Sequence, residues 1–419
     1  MPKLGISALF AGGVVVLAGV TSIGVFDTQA KEHFARVQDA VTETVTEPFV
    51  PRVRHMPEPE AVKAIYMSQC AASTESFRES LLKIVDETEV NAIVVDLKDY
   101  SGTIAFPSET AVPGGVGCTV SDFEKFVDRL HDHDVYVIGR MTVFQDPLYT
   151  KTYPQWSVKK KSDTTQTWRD HKGLAFVDVG AKPFWDYIIT LSKEAHNMGV
   201  DEINFDYIRF PSDGNMLDVH YQHATGNKQD ELEKFFKYLS ENFKMEDGGH
   251  VPMMSADLFG MTTTNSDDLS IGQVLERALP YFDYIAPMVY PSHYPPGFIG
   301  LGNPNDHVYE VVNYSLDQAV PRVVASTTKQ FSYAYERMGT STPAVYKKPV
   351  YKKTALRPWL QDFDYGGNYG PAEVRAQIQA TYDAGLTSWM LWDPANRYTP
   401  SALEAKRVGT TTSENSSGQ

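Results

Sequence analysis

The sequence predicts a single (β/α)8 TIM barrel of the α/β class, and three observations carry that expectation. Eight short apolar runs alternate with amphipathic stretches over residues 61–408. Several of those stretches close on Gly or on Asn-Met-Gly, where helices stop. No glycine-rich nucleotide fingerprint follows the first run, which counts against the rival open, doubly wound sheet. Eight strand–helix units in about 350 residues suit such a barrel.

In chain order, the N-terminal segment comes first. Residues 6–26 hold no charge and follow a positive start at Lys3. That pattern is a secretory signal or a signal anchor. Thr28-Gln29-Ala30 offers the small residues that a signal peptidase needs, so residues 1–30 read as a cleaved signal or a membrane anchor. Either one puts the remainder outside the cytoplasm. Residues 31–60 are polar and then proline-rich (Pro48, Pro51, Pro57, Pro59), as a helical and Pro-rich linker is. The strand candidates are 64–68, 92–98, 135–143, 202–207, 251–258, 283–290, 356–362 and 388–393. Helical patterns occupy 76–88, 121–134, 182–199, 230–243, 307–320 and 371–385. Residues 409–419 have no apolar anchor and read as a disordered tail.

Composition narrows the function classes. The net charge is −15, from 38 Lys+Arg against 53 Asp+Glu. Phosphate neutralisation needs a basic face, so nucleic acid is not expected as a partner, and the membrane is expected only through the N-terminal segment. Two cysteines exclude a disulfide-rich scaffold and a Cys-based metal cluster. Cys70 and Cys118 fall in loops after consecutive strands, so either a bridge in an oxidising compartment or two free thiols fits.

In a barrel of this kind chemistry sits where strands end and their following loops begin. Polar residues accumulate there: Asp96 and Lys98, Arg140, Asn204 and Asp206, Asp257, Tyr290, Trp359 and Gln361, then Trp392 and Asp393. Alternation by two puts Asp96 with Lys98, and Asn204 with Asp206, on one face. The plain alternative is that an Asp after a strand caps the next helix. That reading suits Asp99, Asp146 and Asp213. It suits Asp206 poorly, because Tyr207-Ile208-Arg209-Phe210 continues apolar before Pro211, and it suits Asp257 only in part. Two carboxylates at neighbouring strand ends match glycoside hydrolysis, in which one ionised group attacks or stabilises the anomeric carbon and a protonated one feeds the leaving oxygen. Aromatics near the mouth could stack on sugar faces: Tyr100, Trp156, Trp168, Tyr207, Tyr290, Tyr294, Trp359 and Trp392. The long 145–176 loop would shape a cleft. No His-Glu-x-x-His or Gly-x-Ser-x-Gly pattern is present, and no metal or cofactor is expected.

The stretches VVDLKDYSG, DEINFDYIRFPSDG, SADLFG, APMVYPSHY, RPWLQDF and MLWDPANRY resemble a bacterial family of glycoside hydrolases named by prediction and distantly related to alpha-amylase-like barrels. The likeness spans roughly residues 62–400. It implies Asp206 as nucleophile, Asp257 as acid/base where relatives usually carry Glu, and Asp362 as a transition-state-stabilising carboxylate. The usual Arg two residues before the nucleophile is Asn204 here, so Arg140 or Arg209 would have to compensate. Asp96, Lys98, Arg140, Asn204, Tyr207, Arg209, Tyr290, Trp359, Gln361, Trp392 and Asp393 are then expected to hold the sugar. The expected activity is cleavage of an extracellular or cell-envelope polysaccharide; the alternative is a non-catalytic carbohydrate-binding barrel.

Overall fold

Eight parallel strands close on themselves. The computed structural model describes residues 53–243 and 251–406. The signal or anchor segment 1–30, most of the linker and the tail 409–419 lie outside the described residues. The strands are β1 Lys63–Met67, β2 Ala92–Lys98, β3 Tyr136–Thr142, β4 Glu202–Asp206, β5 Met253–Phe259, β6 Tyr284–Met288, β7 Trp359–Gln361 and β8 Trp389–Trp392. Each pairs with its sequence neighbours, and β1 pairs with both β2 and β8, which closes the barrel. The helices between them are α1 Glu75–Glu87, α2 Phe123–Asp132, α3 Lys182–His196, α4 Lys228–Asn242, α5 Leu275–Ala278, α6 Val308–Val324 and α7 Pro371–Asp383.

The pleat sorts side chains into two cores. Ala64, Tyr66, Val94, Ile138 and Met390 fill the lumen, while Ile65, Met67, Val95 and Leu97 pack outward against the helices. A charge low in the lumen is tolerable only if paired. Glu202 there receives Arg357 Nη1 at 2.8 Å and Ser255 Oγ at 2.6 Å.

Three departures from the sequence expectation have physical reasons. Strand β7 is shorter than 356–362, since Pro358 has no N–H to give a ladder. The chain between α6 and β7 carries a small antiparallel sheet of Thr327–Thr328, Glu336–Met338 and Val345–Lys347, whose exposed residues give no apolar period. Lys159, the first of three consecutive lysines whose charge run by itself predicts a solvated surface, is buried and donates to the Pro154 carbonyl at 2.5 Å.

Two features tie the mouth loops together. A Cys70–Cys118 disulfide joins the loop after β1 to the loop after β2. Lys159–Lys160 pairs antiparallel with Val219–His220, which joins the loops after β3 and β4. Among the described residues no helix is long and apolar enough to cross a membrane.

Candidate active site

Four neighbouring strands deliver the charged groups of the mouth. In register, Asp96 stands beside Arg140, Arg140 beside Asn204, and Asn204 beside Ser255. Arg140 is the hub. Its Nη1 donates to Asp96 Oδ1 at 2.6 Å, and its Nε and Nη2 donate to Asp206 Oδ2 at 3.2 and 2.5 Å. Its Nε also lies 3.9 Å from Asp257 Oδ2. The two catalytic candidates' oxygens are therefore no farther apart than the sum of two distances from one atom, 3.2 and 3.9 Å, or about 7 Å. The guanidinium that Asn204 leaves wanting on its own strand thus comes from β3.

Three carboxylates around one guanidinium cannot all ionise cheaply away from water. Burial raises the pKa of Asp96 against the pull of Arg140 and Tyr66, and Asp257 gives way most. Burial first, and then the charge of Asp206, push its pKa well above the usual carboxylate range, against the pull of Arg140, Asn204 and Trp359. Its Oδ1 accepts Asn204 Nδ2 at 2.9 Å and Trp359 Nε1 at 2.8 Å. Its Oδ2 accepts no hydrogen bond among the described residues, so that oxygen is the one free to carry and deliver a proton. Asp206 differs: besides Arg140, its Oδ1 accepts the backbone N–H of Tyr207 at 2.5 Å. Tyr207 has φ 51°, a left-handed turn that costs a non-glycine residue roughly 1 kcal/mol or more. Burial works against the charge of Arg140, but Asp206 and Asp96 outweigh it and raise its pKa. Asp96 is fixed from its other side by Tyr66, whose hydroxyl donates to Oδ2 at 2.5 Å.

Above these groups opens a cavity of about 440 Å³, walled by Arg140, Asp206, Asp257, Tyr207, Arg209, Tyr290 and Trp392. That volume suits a small ligand. Phe259, Gly260, Met261, Met288, His293 and Tyr294 complete the wall. Gly260 allows the close approach, since a Cβ there would lie 2.4 Å from the Met288 carbonyl oxygen. Trp392 stacks on Tyr66 with centroids 3.9 Å apart and covers Arg140 at 4.9 Å.

Other expected site residues stand elsewhere. Asn204 and Trp359 lie beneath the cavity and hold Asp257. Lys98 leaves the mouth altogether, contrary to the alternation argument. The β2–β3 register shifts between Asp96 and Lys98, so Lys98 turns outward, pairs with Asp146 at 2.9 Å and donates to the Thr142 carbonyl. Gln361 accepts from Ser292 at 2.9 Å and is not in the wall. Asp362 is also outside it: both its oxygens accept from Thr399, and burial pushes its pKa up to about 7. Asp393 accepts the Ala395 and Arg397 N–H groups and organises its own loop. Asp362 and Asp393 each stand one residue past a strand end, and the Asp362 N–H still donates to the Trp392 carbonyl at 3.0 Å.

Among the aromatic candidates, Trp168 is buried with its indole on the Asn215 carbonyl, Trp156 packs against His223, and Tyr100 is 57% exposed outside the wall. Asp146 caps the short helix Pro147–Thr152 through the Tyr149 N–H. The residues missed from sequence include Tyr66, which reads as core, Phe259, Gly260 and Met288 at or just past strand ends, and the loop residues Met261 and His293, which follow no period. No group of three His, Cys, Asp or Glu among the described residues could hold a metal ion.

Residues 64–398 match a family described as "Putative glycosyl hydrolase domain". No curated protein matches the sequence. Among solved structures, the glycoside hydrolase domain of PgaB (BpsB) from Bordetella bronchiseptica is 12% identical with a TM-score of 0.55, over 83% of this chain and 100% of that one. Alpha-L-fucosidase isoenzyme 2 from Paenibacillus thiaminolyticus is 14% identical with a TM-score of 0.50, over 82% of this chain and 48% of that one. A hypothetical protein from Ruminiclostridium thermocellum is 27% identical with a TM-score of 0.40, over 49% of this chain and 98% of that one. The first two likenesses speak for the barrel fold alone.

Proposed function

The chain belongs to the glycosyl hydrolase domain family matched over residues 64–398 and is a glycosidase, and from that premise we propose that it cleaves an extracellular or cell-envelope polysaccharide with Asp257 as proton donor and Asp206 as its ionised partner. One observation carries this reading: two buried carboxylates face one cavity from adjacent strands, and only one has an oxygen left free to donate. The free Oδ2 of Asp257 protonates the leaving oxygen. Asp206, fixed by Arg140 and the Tyr207 N–H, stabilises or attacks the anomeric carbon. A separation within about 7 Å suits two-carboxylate hydrolysis. Tyr290 and Trp392 supply flat apolar faces for a sugar ring. The location outside the cytoplasm is supported by the uncharged segment 6–26 and by the Cys70–Cys118 bridge, which persists in an oxidising compartment.

The test is release of reducing sugar from a panel of envelope and extracellular polysaccharides by wild type, Asp206→Asn and Asp257→Asn. Release by wild type should fall at least about 10³-fold in both variants. If wild type and Asp206→Asn retain a polysaccharide equally and neither releases sugar, the barrel is a binding protein and the hydrolytic reading fails.

A further inference from the structure

One wall of the cavity carries a cation without a counter-charge. Arg209 follows β4 and lines the same space as Asp206 and Asp257. Its Nη1 is taken by the Phe210 carbonyl at 3.2 Å and Ser212 Oγ at 3.1 Å. Its guanidinium carbon sits 4.8 Å from the Tyr207 ring centroid and 4.9 Å from that of Phe259. The rings hold the group in place, and none of these contacts neutralises it. Burial lowers its pKa, against the pull of the Tyr207 hydroxyl and then of Asp206 and Asp213, which both lie beyond ion-pair range. Among the described residues, the buried Arg78, Arg140, Arg277 and Arg357 and the half-buried Arg322 and Arg375 each have a carboxylate in ion-pair contact, whereas the half-buried Arg209 has none. Arg169, Arg337 and Arg397 have none, but they are exposed to water.

A half-buried guanidinium with no carboxylate in ion-pair contact is left free to attract one from a ligand. We propose that Arg209 receives a monoanionic substituent of the sugar, a carboxylate or a sulfate ester, so that the substrate is an acidic glycan. This rests on the glycosidase reading above. One guanidinium offers one positive charge and a planar fork of donors, which matches a monoanion. Arg140 cannot serve this role, because Asp96 and Asp206 already occupy it.

The experiment uses the full chain carrying Asp257→Asn, which keeps the neutral state of the acid while slowing cleavage. Binding is measured by calorimetry against size-matched neutral, uronate-containing, methyl-esterified uronate and sulfated oligosaccharides. Charged ligands should bind at least about tenfold more tightly than neutral or esterified ones. The uronate and sulfate arms decide between the two sources of charge. Adding Arg209→Gln should erase the preference while neutral binding persists, and Arg209→Lys should restore part of it. A melting temperature for each variant separates lost recognition from lost folding. Equal binding of neutral and charged glycans, or a preference that survives Arg209→Gln, overturns the role of Arg209 and leaves the glycosidase reading intact. Failure of every glycan to bind, together with no release by wild type, removes both.

Discussion

Replacing Trp359 with Phe tests whether Asp257 is the acid. The indole Nε1–H donates to Asp257 Oδ1 at 2.8 Å, and Asn204 donates to the same oxygen. Both bonds favour the ionised form and so hold the pKa below the level that burial and Asp206 would set. Phe keeps an aromatic ring in the lumen and deletes that donor. A hydrogen bond to a charged group is worth about 1.5–3 kcal/mol. At 1.36 kcal/mol per pKa unit, the variant should titrate about 1–2 units higher. The acid must be protonated to work, so the alkaline limb of kcat/KM moves to higher pH by that amount. The plateau rate should change less than about tenfold, because the proton-bearing Oδ2 is untouched. The assay is a pH profile of kcat/KM on a substrate from the panel, with the Asp257 carboxyl followed by 13C NMR. An alkaline limb that stays put while the carboxyl titration moves would refute the assignment of Asp257 as acid.

Other outcomes follow from the same structure. Glu202→Gln leaves the buried Arg357 with only its longer contact to Glu58 at 3.4 Å, so urea denaturation should show a loss of up to about 3–5 kcal/mol, whereas the paired change Glu202→Leu with Arg357→Met should recover most of it. Cys70→Ser opens a 48-residue loop and should lower stability by about 2–4 kcal/mol, with added reductant reproducing the effect in wild type only. Asp362 keeps its proton up to about pH 7 in the folded chain but releases it near the ordinary carboxylate value when unfolded. Stability should therefore fall as pH rises between about 4 and 7, on the order of 2–4 kcal/mol, and Asp362→Asn should flatten that slope in pH-resolved thermal melts.

How legible the site was depended on what each residue's neighbours demanded. The eight strands could be read because each is sealed between lumen and helices, and a doubly buried strand must be apolar along its length. Asp206 and Asp257 stood out because a carboxylate followed by more apolar chain has no helix to cap. Lys98 was misplaced because alternation assumes an unbroken pleat, and the bulge after Asp96 depends on how β2 meets β3, which no local pattern records. Asp362 and Asp393 look like mouth carboxylates in sequence, yet their oxygens are taken by Thr399 and by the 395–397 loop, partners that no local pattern records. Tyr66 was hidden for the opposite reason: a tyrosine inside a strand reads as packing, and its hydroxyl matters only because Asp96 lies on the strand beside it.

The exchange of Asn204 for the arginine expected on β4 shows why the site needs cross-strand register more than any one motif. Asn204 is too short to pair with Asp206, and its amide instead bridges Ser255 and Asp257. Ser255 in turn donates to Glu202, which Arg357 neutralises. A polar column therefore runs up the lumen from the paired charges of Glu202 and Arg357 to Oδ1 of Asp257. Moving the guanidinium to Arg140 on β3 lets one cation serve Asp96 and Asp206 together, which an arginine at 204 would achieve only by displacing the amide from Asp257. The two carboxylates thus acquire different supports, a cation for Asp206 and neutral donors for Asp257. That asymmetry favours a protonated Asp257, and it leaves Arg209 unclaimed by either carboxylate.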